Sequence, residues 1–180
     1  MSEATAALLQ FEFRIRGAED RKALRYVAVN ELTGVVDADE VMLLTGYDQR
    51  HFRIMAVSGV SKVDRTAPLI QYLESHIRRQ FIVTRESTVQ FGSTADWDDT
   101  SVPPFFAWVP LHQPGPRGRP EGGMLLLRYR AFSDREQALL THVSQVVAHG
   151  IAALRGRAFQ YKVPVRRKLG LTAFLSALPV

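Results

Sequence analysis

GGMLLLRYRAFSDREQALLTHVSQVVAHGIAAL, Gly122 to Leu154, decides the fold. Its first part, MLLLRYR (Met124 to Arg130), is an apolar run of strand length, and FFAWVPL (Phe105 to Leu111) upstream is another. The Pro- and Gly-rich HQPGPRGRPEGG joins them, and such a connection between two apolar runs predicts a β-hairpin. The period then changes. Ser133 and Glu136 form an S-x-x-E capping box, and Leu139, Leu140, Val143, Val146, Val147, Gly150, Ile151 and Leu154 follow at helical spacing, which predicts one long helix.

Working outward, Pro68 suits the first turn of a helix running to about residue 79, with Leu69, Tyr72, Leu73, His76 and Ile77 on its buried side. VMLLT (Val41 to Thr45) and HFRIMAVS (His51 to Ser58) read as a second hairpin, turning at Gly46-Tyr47-Asp48-Gln49-Arg50. Asp20 is placed to cap a helix in which Leu24, Val27, Ala28, Leu32 and Val35 make the apolar face. Residues 4–16 satisfy two patterns: alternation through Leu9, Phe11, Phe13 and Ile15 reads as a strand, whereas Leu8, Phe11 and Ile15 mark a helical face. Residues 81–104 are the longest stretch without a pattern. Hairpins between helices exclude a parallel doubly wound sheet. The expected class is α+β, an antiparallel sheet of about five or six strands with helices packed on one face and a long C-terminal helix.

The chain has 180 residues, 46% of them apolar and 23% charged, enough for one domain with a sizeable core. Cysteine is absent, which excludes disulfides, thiolate metal sites, cysteine nucleophiles and thioether-linked chromophores. The N-terminus, MSEATAALLQFEFR, has Glu3 where a signal peptide carries basic charge, so a cytoplasmic location is expected. The net charge is +5, yet Arg155, Arg157, Lys162, Arg166, Arg167 and Lys168 exceed that by themselves. With no basic stripe elsewhere, nucleic acid is not an expected partner. The basic tract runs into LGLTAFLSALPV, Leu169 to Val180. That apolar stretch is shorter than the roughly 20 residues a span requires, but basic residues before it resemble the cytoplasmic flank of one. The expected organisation is a domain over residues 1–158, then a basic juxtamembrane tract and the start of a membrane span over residues 159–180. The alternative is a C-terminal helix packed on the domain itself or on a partner.

AVSGVSKVDRTAPLIQYLE, Ala56 to Glu74, gathers hydroxyl, amine, carboxylate and guanidinium groups where a strand ends. It lacks the second glycine of a G-x-S-x-G elbow, the S-x-x-K spacing is absent, and the histidines are scattered. No catalysis is expected here; Asp64 and Thr66 are read as turn and capping residues before Pro68. ADWDDT (Ala95 to Thr100) departs from a calcium loop, having Ser101 and Ala107 where glycine and glutamate belong. His142 and His149 have no partner carboxylate for a metal. No metal and no cofactor are expected. What remains is an apolar pocket for an unnamed small molecule, with Ser58, Lys62, Asp64, Arg65, Trp97 and Trp108 as candidate ligand-binding residues.

The last hairpin and helix together resemble the GAF domain family. ALRYVAVNELTGVVDADEVMLL (Ala23 to Leu44) and AVSGVSKVDRTAPLIQYLE look like the GAF-like N-terminal region of HlyD-like membrane-fusion proteins, secretion and efflux adaptors of bacteria. That resemblance spans about residues 6–175 and implies a non-catalytic sensory or scaffold domain, anchored to the inner membrane through its C-terminal segment. Asn30-Glu31, Ser58-Gly59-Val60, Val63-Asp64 and Ala67-Pro68 are the matching motif positions. Without cysteine the chain departs from bilin-linking and methionine-sulfoxide-reducing members, and it lacks the N-K-x-F-D-E motif of cyclic-nucleotide binders. The alternatives are a free-standing small-molecule-binding signalling domain, or a small hydrolase using Ser61. The stripe of Leu140, Val143, Val147, Gly150 and Leu154, with Leu8, Phe11 and Ile15, further predicts a homodimer through the terminal helices.

Overall fold

The computed structural model describes residues 3–46, 52–82, 87–99, 101–115, 118 and 120–162. The turn residues Tyr47 to His51 and the tract from residue 163 onward, on which the membrane expectation rests, lie outside the described residues. The elements are α1 (Glu3–Gly17), α2 (Arg21–Asn30), α3 (Leu32–Val36), β1 (Glu40–Thr45), β2 (Arg53–Val57), α4 (Pro68–Ile77) continued by a wide turn (Arg78–Ile82), β3 (Gln90–Ser93), β4 (Phe105–His112), β5 (Pro120–Arg128) and α5 (Asp134–Lys162). The strands form one antiparallel sheet in the order β2-β1-β5-β4-β3. The expected α+β class is what is found.

The central strands are apolar at every position rather than at alternate ones, so both faces of the sheet must be covered. Val41, Leu43, Ala107, Val109, Leu111, Met124 and Leu126 face a layer built from α1, α2, α3 and α5. Met42, Leu44, Phe106, Trp108, Leu125 and Leu127 face the other way, onto Leu73 and Ile77 of α4, Phe81, Ile82, Trp97 and Val102. The helices are therefore not all on the expected face, because α4 covers the second apolar surface of β1, β4 and β5.

One open alternative is resolved, and two other details differ from the sequence reading. Residues 4–16 are helical: Phe11 and Ile15 are buried against the core, while Leu9 and Phe13, which alternation would have buried, are exposed. The helix capped by Asp20, whose Oδ1 accepts from the Ala23 N–H at 2.7 Å, ends at Asn30, and α3 follows after Glu31. Within the stretch without a pattern, QFGS pairs with β4 as an edge strand, and Gly92 leaves room for the Phe106 ring.

Arg128 ties three elements together at the far end of β5. Only 2% exposed, it donates to Val36 O, Arg130 O and Ala131 O and makes a two-pronged pair with Glu136 at 2.7 and 2.8 Å. Glu136 Oε2 also accepts from the Ser133 N–H and hydroxyl, which is the carboxylate half of the expected capping box. Along α5, Leu140, Val143, Val147, Gly150 and Leu154 are buried in the protomer's own core with Phe11 and Ile15. The stripe expected to form a dimer seam is thus covered within the chain's own core.

Candidate functional site

The structure separates the six candidate residues. Ser58 is half-buried and holds the base of β1: its Oγ accepts from the Val41 N–H at 3.0 Å and its own N–H donates to Val41 O at 2.8 Å. Next to it the Gly59 N–H donates to Asn30 Oδ1 at 2.8 Å, so the two motif positions Asn30 and Ser58-Gly59 meet as a clamp between α2 and the end of β2. Asp64 is exposed and accepts from the Thr66 hydroxyl at 2.7 Å and the Thr66 N–H at 2.9 Å. These bonds, the hydroxyl's first, hold its carboxyl below the usual aspartate value. This is the turn geometry expected before Pro68. Lys62 is exposed.

Trp97 and Trp108 are buried in the aromatic layer on the α4 side. Trp108 stacks on Phe81 at 5.1 Å, Trp97 stacks on Phe106 at 5.3 Å, and His76 lies 4.5 Å from the Trp97 ring. Gly123 permits this packing, since a side chain there would meet the Trp108 ring at 2.3 Å. The two tryptophans therefore belong to one buried cluster on the α4 side, against which Val63 of the loop of residues 58–65 also packs.

Of the six, Trp97 edges an open depression on the α4 side with His76, Arg79, Asp96 and Asp98, and Arg65 lines a cavity on the opposite, helical side of the sheet. The cavity measures about 290 Å³ and lies between α2, the ends of β1 and β2, and the later turns of α5. Leu24, Leu43, Met55, Ile151 and Leu154 give it an apolar floor, and Arg21, Arg25, Arg53, Arg65 and Arg155 surround that floor. The geometry follows from local sequence. Arg21 and Arg25 are one turn apart on α2, as are Ile151 and Arg155 on α5. A register shift in the β1–β2 ladder leaves Met55 unpaired between Ala56, opposite Leu43, and Ile54, opposite Leu44. Arg53, opposite Thr45, then lies on the cavity face while Phe52 and Ile54 enter the aromatic layer.

Two of the rim charges approach carboxylates. Arg155 pairs with Glu121, a carboxylate only 2% exposed whose Oε2 has no hydrogen-bond partner among the described residues. Arg65 approaches Glu74 at 3.8 Å and Met55 Sδ at 3.7 Å. Arg53 makes no ion pair among the described residues. No aspartate, glutamate or histidine is among the described residues lining the cavity, and no cluster of metal-ligating side chains occurs among the described residues.

Sequence reasoning missed Arg21, Arg25 and Arg53 and placed Arg155 in the basic tract. One local signal was available: Arg21 opens α2 with no acidic residue in its first turn, a position where the helix dipole disfavours a cation. The grouping itself was invisible, because its members come from four segments far apart in the chain.

This sheet, with a helical layer on one face and the long α5, is a GAF-like fold. No protein-family model matches the sequence, and no curated protein does. Solved structures do match. A GAF domain assigned to a sensor histidine kinase of Pseudomonas syringae pv. tomato has a TM-score of 0.59 at 16% identity, covering 88% of this chain and 91% of that one. The GAF domain of an Acinetobacter phosphoenolpyruvate-protein phosphotransferase has a TM-score of 0.62 at 15% identity, covering 85% and 98%. A bacteriophytochrome from R. palustris has a TM-score of 0.67 at 10% identity, covering 93% of this chain and 41% of its own. At these identities the likeness is one of fold. Nothing in the comparisons supports the resemblance to membrane-fusion proteins.

Proposed function

We propose that this domain is a non-catalytic sensory module that binds a small molecule in the arginine-rimmed cavity. The observation that carries the reading is the cavity itself: a concave apolar floor with polar groups converging on it is the usual form of a small-molecule site. The fold is shared with domains of a sensor kinase and a bacteriophytochrome, which favours sensing over a transport role. Against catalysis, the described lining offers one hydroxyl, on Thr45, and no histidine or carboxylate to act as its base. Ser61 is exposed and makes no hydrogen bond among the described residues. The finer setting, a domain of a membrane-anchored transport adaptor, is a proposal that rests on the basic tract and apolar run of residues 155–180 and on the resemblance carried by Ala23 to Leu44 and Ala56 to Glu74. Among the described residues no helix is long and apolar enough to cross a membrane.

Native mass spectrometry of the freshly purified protein tests the proposal. The expected spectrum shows a retained small molecule on the wild type and a bare polypeptide for Met55→Trp, whose indole fills the floor. Bare masses for both, with no compound of a broad metabolite panel raising the wild-type melting temperature, would sink it.

A further inference from the structure

We infer that the ligand of this cavity is a small organic anion, a carboxylate or phosphate head on a compact apolar body. The inference rests on the ligand-binding reading above and names its chemistry. Five guanidinium groups surround one apolar floor, and guanidinium is the group best matched to two-pronged hydrogen bonding of carboxylate and phosphate. Arg21 and Arg25 have other interactions as well, so the weight falls on Arg53, Arg65 and Arg155. Arg53 has no counter-ion among the described residues. Arg65, close to half exposed, approaches its carboxylate only at 3.8 Å. Arg155 is held by a buried acid, Glu121, and that acid lies outside the described lining.

A neutral ligand would seal these like charges in a drier pocket without relieving their repulsion, whereas an anion would relieve it. The floor makes the second selection. Leu24, Leu43, Met55, Ile151 and Leu154 offer nothing to a bare inorganic ion, but they gain by covering hydrocarbon. At about 290 Å³ the space lies at the small end of ligand sites, which suits a short-chain or single-ring acid.

Calorimetric titration of the purified protein with octanoate, octyl phosphate, octanamide and inorganic phosphate, at low and high salt, tests this. Octanoate or octyl phosphate should bind at least roughly tenfold more tightly than octanamide, the difference of one charge-assisted contact. Inorganic phosphate should be weaker than octyl phosphate by a similar factor, and the tighter of the two anions identifies the head group. Arg53→Gln, at an exposed position with no ion pair among the described residues to break, should weaken the anions roughly tenfold and leave octanamide unchanged. Met55→Trp should abolish binding of both kinds. Equal binding of octanoate and octanamide, lost in Met55→Trp, overturns the inference and leaves the sensory reading standing. Anion binding that survives Met55→Trp is surface ion pairing and also overturns it. No binding by any probe, with bare protein in native mass spectrometry, overturns both.

Discussion

Arg128→Ala should destabilise the domain by about 3–5 kcal/mol, a large part of the roughly 5–15 kcal/mol that holds a domain of this size together. The guanidinium is 2% exposed and donates to three backbone oxygens and one carboxylate, so its removal strands the buried Val36 O and takes a donor from the other three acceptors at once. Val36 O belongs to the end of α3, Ala131 O to the turn after β5, and Glu136 to the first turn of α5; the change would loosen all three junctions. Its contact with the Phe132 ring, 3.7 Å to the centroid, is lost as well. Arg128→Lys should recover only part of the loss, because an ammonium cannot reproduce the planar fork.

The same pair sets a pH signature. Partial burial would raise the Glu136 carboxyl, but hydrogen bonds from Arg128 and Ser133 and the charge of Arg128 bring it to about 2, from 4.5. Since the unfolded chain takes up the proton first, the stabilisation is complete above about pH 4.5 and is lost as the pH falls towards about 2. Urea unfolding over that interval should be steeply pH-dependent in the wild type and distinctly flatter in Glu136→Gln. Equal slopes would mean that Glu136 is not the group responsible.

Gly122→Ala is expected to cost about 3 kcal/mol or more, for a different reason. Gly122 sits in β5 opposite Thr45 with φ at 146°, and a Cβ there would lie 1.9 Å from Leu44 O and 2.9 Å from Thr45 Cα. Both neighbours are backbone of a central strand, so no rotamer change relieves the collision; β1 must part from β5. Thr45 and Gly46 line the cavity, so the variant should also lose ligand binding. Gly34→Ala is the control. Open space surrounds that glycine in α3, and alanine there should be neutral or slightly stabilising. Matched thermal melts separate the two cases, and equal melting temperatures would contradict the account of Gly122.

The parts of the fold that were legible were the ones written in local pattern. Both hairpins, the helix after Pro68, the Asp20 cap and the Ser133–Glu136 start of α5 each rest on residues within a few positions of one another. The four residues of β3, one of them glycine, are too few and too mixed to show a period. The side of the sheet taken by α4 is a long-range matter, although continuous runs such as VMLLT and MLLLR already signalled a sheet covered twice. The candidate site was the least legible part. A tryptophan can edge a pocket or fill a core with the same sequence around it: Trp108 fills the core, and Trp97 does so while also edging the open depression beside His76 and Asp98. The rim arginines look like solvated surface charges until the fold sets Arg21, Arg53 and Arg155 around one floor.

The central claim is that ligand binds on the helical side of the sheet, between α2, β2 and α5. Backbone amide chemical-shift mapping of the 20.2 kDa protein during titration with octanoate tests it most directly. The account predicts saturable shifts concentrated at residues 21–25, 43–46, 53–55, 65 and 151–155, with the aromatic layer undisturbed. Shifts centred on Tyr72, His76, Phe81, Trp97 and Trp108 would contradict it and move the site to the other face of the sheet.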